Sequence, residues 1–143
     1  MPTLITHSPA ETEALGEAWG RAAEPGLVIA LSGDLGAGKT AWVRGFARGL
    51  GIPGRVHSPT FTLVNEYPGG RLKLAHLDLY RLETPAQILS AGVLEYLTPD
   101  GVAVLEWAER LPETAAAGVR WRRVRIEITG ESERKISYDH PGA

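Results

Sequence analysis

The chain has 143 residues, of which 43% are hydrophobic and 22% charged, and its net charge is −2 at neutral pH. This composition is typical of an ordinary soluble protein and gives no global attraction to nucleic acid or anionic lipid. The absence of cysteine excludes disulfides, thiolate metal sites and cysteine nucleophiles. We predict one domain over residues 1–143, located in the cytoplasm, because the chain shows neither a signal-peptide pattern nor an apolar run long enough to enter a membrane.

The first part of the chain alternates helical and strand patterns. Residues 11–23 have the spacing of a helix, and residues 27–31 form an apolar run typical of a strand buried on both faces. Residues 39–50 predict a second helix that Gly51 ends. The predicted inward faces of the two helices are Leu15, Ala18, Trp19 and Ala22, and Trp42, Val43, Phe46 and Leu50.

Strands dominate the rest of the chain. Residues 61–67 and 71–79 predict two strands joined by a hairpin signal at 68–70, and Thr84-Pro85 predicts a helix that runs to about residue 91. Further strands are predicted at residues 102–105, 119–129 and 134–138. The order of the elements predicts an α/β fold with a mixed central β-sheet flanked by helices.

A glycine-rich segment between the first strand and the second helix reads GDLGAGKT and matches the P-loop pattern in full, so the predicted α/β fold is P-loop NTPase-like. Glycines allow successive backbone N–H groups to point at phosphate oxygens, and the following helix adds its positive N-terminal end. We therefore predict a nucleotide site in which Lys39 reaches the β- and γ-phosphates and Thr40 ligates Mg²⁺. Asp34 is interpreted as a turn-former. The predicted nucleotide-contacting residues are Gly33, Asp34, Leu35, Gly36, Ala37, Gly38, Lys39, Thr40 and Ala41.

Two acids are candidates for the metal side of such a site. Glu106 directly follows the buried-type strand 102–105, and Asp78 ends a weaker, alternating segment, residues 72–77. Either could hold Mg²⁺ or its water, and the alternative for each is a solvated or ion-paired carboxylate at a strand end. Thr60 lies where γ-phosphate-sensing switch loops are found, although a serine-proline turn explains its surroundings equally well.

Other polar and aromatic side chains leave their roles open. Trp107 is either part of the core or a contact surface beside the candidate metal acid. His57 and His76 have no carboxylate paired with them by spacing and are interpreted as surface or core histidines rather than general bases. A late basic stretch is interpreted as the outer face of a strand, with a docking patch for RNA or an acidic partner as the alternative; its residues are Arg120, Arg122, Arg123 and Arg125, around Trp121.

The nucleotide is predicted to be ATP, because the N-K-x-D sequence of guanine-specific proteins is absent.

Four blocks, GDLGAGKT (33–40), SPTFTLVNEY (58–67), HLDLYRL (76–82) and LEWAER (105–110), occur in the order and spacing of one family. From about residue 12 to residue 110 the chain resembles the bacterial TsaE family, the ATPase component of tRNA threonylcarbamoyladenosine synthesis.

The resemblance implies a small ATPase that uses ATP and Mg²⁺ and acts with two partner proteins, TsaD and TsaB. Those partners place threonylcarbamoyl on N6 of the adenosine beside the anticodon, so the implied link to tRNA is indirect, through the complex; whether the chain also touches tRNA directly stays open. The family's site residues fall on Lys39, Thr40, Thr60, Asp78, Glu106 and Trp107, with Thr40 and Glu106 on the metal.

The match has three departures from the family pattern. Ala41 stands where a second threonine is frequent, and Leu77 stands where phenylalanine is common. The C-terminal strands match poorly, and there Arg134 is the one candidate for an adenine-side contact. Residues 6–12 could close the other side of the base.

We expect slow hydrolysis by the isolated protein, because no arginine is plainly placed as a transition-state finger; Arg44 and Arg81 are the remaining candidates. Two alternatives stay open. One is a nucleotide-dependent interaction module without useful turnover, and the other is a small-molecule kinase.

Overall fold

A computed structural model describes residues 2–33, 38–53, 63–97, 100–111 and 119–139. The strands are β1 (Thr3–Thr6), β2 (Leu27–Gly33), β3 (Val64–Tyr67), β4 (Leu74–Asp78), β5 (Val102–Glu106), β6 (Arg120–Ile128) and β7 (Arg134–Tyr138). The helices are α1 (Pro9–Ala22), α2 (Lys39–Gly49) and α3 (Pro85–Ser90), and short 3₁₀ turns cover Val93–Tyr96 and Ala108–Arg110.

Within the described residues, the strands form one seven-stranded sheet in the order β1-β7-β6-β2-β5-β4-β3. The central strands β6, β2, β5 and β4 run parallel, and β7 and β3 pair antiparallel with β6 and β4. The prediction of a mixed sheet is confirmed. Since the carboxyl ends of parallel strands meet at one edge, β2, β4 and β5 bring their last residues together there.

Helix α2 follows the sequence prediction closely. Its predicted stripe of Trp42, Val43, Phe46 and Leu50 is fully buried against the sheet. Gly51 adopts φ +78°, its N–H donates to the carbonyl of Arg48, and the N–H of Ile52 donates to the carbonyl of Ala47. This pair of bonds is a Schellman motif, in which glycine is favoured for its left-handed backbone, so the predicted end of the helix is confirmed.

The predicted inward face of α1 is wrong in part. Ala18 and Ala22 are exposed, whereas Trp19 is buried together with Gly16 and Gly20. The two glycines face α2, and a Cβ at either position would overlap a carbonyl oxygen of that helix. Close approach of the two backbones, which an apolar-periodicity argument does not detect, therefore decides which side of α1 is inside.

Strand β4 differs from the weaker strand that its alternating sequence predicted. Leu74, Ala75, His76 and Leu77 are all buried, because β4 lies between β3 and β5 and is covered on both faces. Helices α1 and α2 cover one face of the sheet, and α3 with the following 3₁₀ turn covers the other over β4 and β5. Helix α3 starts as predicted, with Thr84 and Gln87 forming a capping box.

The basic stretch lies on β6, near the middle of the sheet. Arg123 and Arg125 are exposed, and both pair with acids of the same sheet region: Arg123 Nε lies 3.6 Å from Asp139, and Arg125 Nε lies 3.5 Å from Glu127. These pairs agree with the interpretation as an outer strand face. Among the described residues, none of the helices combines the length and apolar character needed to cross a bilayer.

Candidate functional site

The glycine-rich segment leaves the carboxyl end of β2 and leads into α2. Its two described glycines, Gly33 and Gly38, adopt φ +152° and +104°, which side chains disfavour. Gly38 is the N-cap of α2, and no side chain of the described residues caps the helix there. The first N–H groups of α2 are thus free of a side-chain acceptor, as an anion-binding helix start requires. Predicted residues 34–37 lie outside the described residues.

Lys39, Glu106 and His76 form a connected cluster beside this segment. Lys39 Nζ lies 3.4 Å from Oε1 of Glu106, and His76 Nε2 lies 2.7 Å from Oε2 of the same carboxylate. The side chains of Lys39 and Glu106 are only 13% and 10% exposed, and that of His76 is 1% exposed. Each oxygen of the carboxylate therefore has its own nitrogen partner in a nearly dry environment.

Strand pairing explains why these distant residues meet. In the β4–β5 pair, Asp78 stands opposite Glu106 and His76 opposite Val104, while Leu31 of β2 stands opposite Glu106 on the other side. Residues two apart on a strand share a face, so His76 and Asp78 lie on the same face of β4. That is the face covered by α2, whose first residue is Lys39.

The two acids have opposite pKa shifts. Burial works to raise the pKa of Glu106, but the hydrogen bond from His76 and the charges of His76 and Lys39 outweigh it, so the pKa is lowered. For Asp78, burial and the negative charge of Glu106 raise the pKa, against the opposing hydrogen bond from the N–H of Tyr80 and the charges of Lys39 and His76. Glu106 is therefore the better-stabilised anion of the pair.

Trp107 extends the cluster toward solvent. Its backbone adopts φ +61°, an unusual conformation for a bulky residue and one that is often found at functional sites. Lys39 Nζ lies 5.9 Å from the centre of the indole, and the rings of Tyr80 and Trp107 are 5.1 Å apart. Arg110 lies 5.2 Å from the indole. Trp107 is half-buried, so it is both a packing residue and part of the rim.

Arg134 lies at the same edge of the sheet but on the β1–β7 side. It stands opposite Thr6 at the end of β1 and opposite Ile128 at the end of β6, and its Nη1 donates to the carbonyls of Gly130 and Glu133. The hydroxyls of Thr6 and Thr12 are 2.8 Å apart in the interior. A Cβ on Gly38 would lie 3.7 Å from the methyl group of Thr12. The start of α1 thus packs against the glycine segment.

The structure brings some of the predicted residues together. Lys39, Glu106 and Asp78 converge at the carboxyl edge, with Thr40 exposed in the first turn of α2 and Ala41 buried beneath it. Thr60 lies outside the described residues. Sequence reasoning missed the contact of His76: it expected a surface or core histidine without a carboxylate partner, whereas His76 is a buried histidine that does have one. That partner is thirty residues away along the chain, and only the pairing of β4 with β5 brings it close.

The side chains suit a hard cation such as Mg²⁺. Within the described residues, no group of three or more histidine, cysteine, aspartate or glutamate side chains could hold a metal by itself. The available donors are the Thr40 hydroxyl and the carboxylates of Glu106 and Asp78, all oxygen atoms. Mg²⁺ is usually held by one or two carboxylates together with phosphate oxygens and water, so this incomplete protein shell fits the ion.

The described residues form an α/β protein with a mixed seven-stranded sheet flanked by helices, and comparison with known proteins identifies its family. A family model described as "Threonylcarbamoyl adenosine biosynthesis protein TsaE" matches residues 6–136. The chain therefore belongs to the TsaE family.

Individual relatives agree with this assignment. A tRNA threonylcarbamoyladenosine biosynthesis protein TsaE of Bacillus subtilis is 42% identical over 96% of this chain and 84% of its own length. The protein of that name from Treponema pallidum is 44% identical over 93% and 96%. Among solved structures, the crystal structure of YdiB from Bacillus subtilis superposes with a TM-score of 0.78 at 37% identity, over 99% of this chain and 86% of the other.

Proposed function

We propose that the chain is an ATP-binding and ATP-hydrolysing subunit that drives the TsaD–TsaB complex in threonylcarbamoylation of N6 of the tRNA adenosine beside the anticodon. In this proposal the protein is cytoplasmic, and its link to tRNA is indirect, through that complex. The single observation that carries it is the contact of Lys39 with Glu106 at the carboxyl edge of the sheet, directly beside the glycine segment.

The arrangement of these two residues supports nucleotide binding over a purely structural ion pair. A lysine that merely stabilised the fold would not need a glycine segment with left-handed backbone on both sides of its loop. Phosphate oxygens at the start of α2 would meet the uncapped N–H groups and the Lys39 ammonium together. Lys39 would then exchange its contact with Glu106 for one with phosphate.

Glu106 and Thr40 are the residues that would hold Mg²⁺. Glu106 has a lowered pKa and is an anion at neutral pH, so it needs no deprotonation step before it can accept a cation. Thr40 lies one residue after Lys39 and is exposed in the first turn of α2. The bound ion would neutralise negative charge on the phosphates.

Asp78 has the opposite character and suits a different role. Its raised pKa reflects burial next to Glu106, so its charge is destabilised in the protein alone. A cation between the two carboxylates would relieve that repulsion. Asp78, with Thr60 as its proposed counterpart from the switch segment, would therefore respond to the γ-phosphate and to the metal that accompanies it.

The proposal includes slow turnover by the isolated protein. The guanidinium of Arg44, one of the two candidate fingers, lies 3.8 Å from the carboxylate of Glu13 of α1, so in this structure it already has an acidic partner on another helix. An arginine finger is worth ~10³–10⁵ in rate in enzymes of this kind. Partner proteins would have to supply that contribution or order the residues that do.

The test is phosphate release from ATP by the purified protein, alone and with TsaD and TsaB, with Lys39→Ala as the matched variant. Strong stimulation by the partners that is lost in Lys39→Ala supports the proposal. Fast release that the partners leave unchanged contradicts the coupling. Lys39-dependent binding without release in any setting indicates the nucleotide-dependent interaction module instead, and phosphate transfer to an added acceptor indicates a kinase.

A further inference from the structure

His76 is a fully buried polar residue whose position packing alone does not explain. Burying an imidazole removes both ring nitrogens from water, and this is costly unless each finds a partner. Its Nε2 has a partner in Glu106 at 2.7 Å, whereas no atom of the described residues pairs with its Nδ1. Among the described residues, the contact with Glu106 is therefore the interaction that compensates for the cost of burying the ring.

The two oxygens of the Glu106 carboxylate have different partners. Oε2 accepts from His76 inside the core, and Oε1 faces Lys39, which belongs to the glycine-rich segment and is the first residue of α2. His76 itself is held by strand pairing, opposite Asn65 of β3 and opposite Val104 of β5. The donor is thus attached to a rigid part of the sheet, whereas Lys39 is a flexible side chain.

We propose that His76 is the positioning residue of the metal site. It holds Glu106 through Oε2, so that Oε1 stays directed at the glycine-rich segment when the Lys39 ammonium moves from Glu106 to the nucleotide. The inference rests on the proposed function and deepens it, because it assigns the orientation of the metal carboxylate to one donor. Partners that orient a metal ligand typically contribute 10- to 100-fold to metal affinity.

Two substitutions distinguish a role of His76 in positioning Glu106 from a role in packing alone. In His76→Gln the side-chain amide nitrogen can take the place of Nε2 and still donate to Glu106. In His76→Asn the amide is shorter by one methylene and ends near the position of Nδ1, so the donor no longer reaches Oε2. Both variants are neutral and polar, so they differ chiefly in the reach of the donor.

The measurement is binding of a fluorescent ATP analogue, in EDTA and across a Mg²⁺ titration, with thermal unfolding recorded for each variant. We expect His76→Asn to raise the Mg²⁺ concentration at half-saturation by about 10- to 100-fold and His76→Gln to stay within a few-fold of the wild type. Binding in EDTA is expected to be similar in all three proteins, because His76 acts through the metal ligand.

Three results would overturn the positioning role: wild-type Mg²⁺ dependence in His76→Asn, equal loss in both variants, or loss that is equally large in EDTA. If the wild-type protein binds no Mg²⁺-nucleotide at all, the proposed function is wrong, and the positioning role of His76, which depends on it, is wrong as well.

A measurement on the unmutated protein covers the case in which His76→Asn does not fold. The ¹⁵N signal of His76 Nε2 is expected to stay in its hydrogen-bonded range when Mg²⁺ and a non-hydrolysable ATP analogue are added. A shift to the unbonded range would show that the contact does not persist and would equally contradict the role.

Discussion

The ammonium nitrogen of Lys39 lies 3.4 Å from Oε1 of Glu106, so the residue proposed to bind phosphate is held by the residue proposed to hold the metal. In this arrangement phosphate and carboxylate compete for the same ammonium. The pair lies in a nearly dry environment, where charge interactions are stronger than in water. Removing the charge of either residue should therefore change nucleotide binding in a way that depends on Mg²⁺.

Glu106→Gln should tighten ATP binding in EDTA and abolish its enhancement by Mg²⁺. The neutral amide releases Lys39 and removes negative charge from beside the phosphates; a tenfold gain in affinity would correspond to about 1.4 kcal/mol. Phosphate release in the presence of partners should fall at least tenfold. Glu109→Gln, an exposed charge three residues further on, serves as the control. Weaker binding of Glu106→Gln in EDTA would contradict the competition between phosphate and Glu106.

Asp78→Asn should stabilise the nucleotide-free protein at neutral pH. The pKa of Asp78 is raised by burial and by Glu106, so the folded state favours the protonated form. The stability that this group contributes is present below its ordinary pKa of 3.8 and is lost as the pH rises through its folded value. The neutral amide avoids that loss and can still accept the hydrogen bond from the N–H of Tyr80.

Thermal unfolding at pH 7 and in acid checks this prediction. The gain in unfolding temperature for Asp78→Asn should be present at pH 7 and disappear below pH 3.8. Asp100→Asn, at an exposed position, provides the comparison and should change the stability little at either pH. A destabilised Asp78→Asn at pH 7 would mean that the carboxylate is favourable in the folded protein.

Gly45→Ala should destabilise the protein although helix propensity favours alanine by roughly 0.5–1 kcal/mol. Gly45 lies in α2 where α1 crosses it, and a Cβ there would overlap the carbonyl oxygen of Glu13. Separation of the two helices should cost about 1–3 kcal/mol in the free energy of unfolding, measured by urea denaturation. In Gly130→Ala the added carbon would lie 3.3 Å from a side-chain carbon of Glu133, and a small effect is expected. Equal stabilities of the two variants would argue against a tight α1–α2 contact.

Arg71→Met should destabilise the protein by about 1–2 kcal/mol in the free energy of unfolding. Nη2 of Arg71 donates to the carbonyls of Gly20, Arg21 and Ala23 at 2.7, 3.0 and 2.8 Å, at the end of α1. The last carbonyl groups of a helix lack regular intrahelical partners, and of these three only that of Gly20 also accepts from the N–H of Ala23. The methionine keeps an apolar stem but provides no donor. Arg125→Met serves as the control, because it removes an exposed arginine that pairs with the side chain of Glu127 rather than with backbone carbonyls. It should change the unfolding midpoint little. A wild-type midpoint for Arg71→Met would show that water satisfies these carbonyls equally well.

Much of the fold could be predicted because its local signals were strong. The strand at 27–31, the helix at 39–50 and the capped helix after Thr84 all appear within a few residues of their predicted ends. Strand β1 was not predicted, since four residues at the start of the chain carry little periodic signal. The inward face of α1 was partly mispredicted because glycines, rather than large apolar residues, form its contact with α2.

The site was predictable where its residues are close together in the sequence or follow a strand directly. Lys39 and Thr40 were identified by a contiguous motif and Glu106 by its place after a buried strand, and the structure puts Lys39 and Glu106 in contact. That contact does not test their roles, which stay predictions, as do those of Asp78, Thr60 and Arg134. His76 could not be paired with Glu106 in advance, because no spacing rule relates residues on neighbouring parallel strands.

The sequence by itself determined the elements, the glycine segment and the identity of the charged residues, because these depend on neighbouring residues and backbone preferences. The tertiary structure alone decided which charges share a dry site. The order of β2, β5 and β4 in the sheet places His76 and Lys39 on the two oxygens of Glu106, and Asp78 beside them. Burial then shifts the two carboxyl pKa values in opposite directions, an effect of surroundings that a linear chain does not contain.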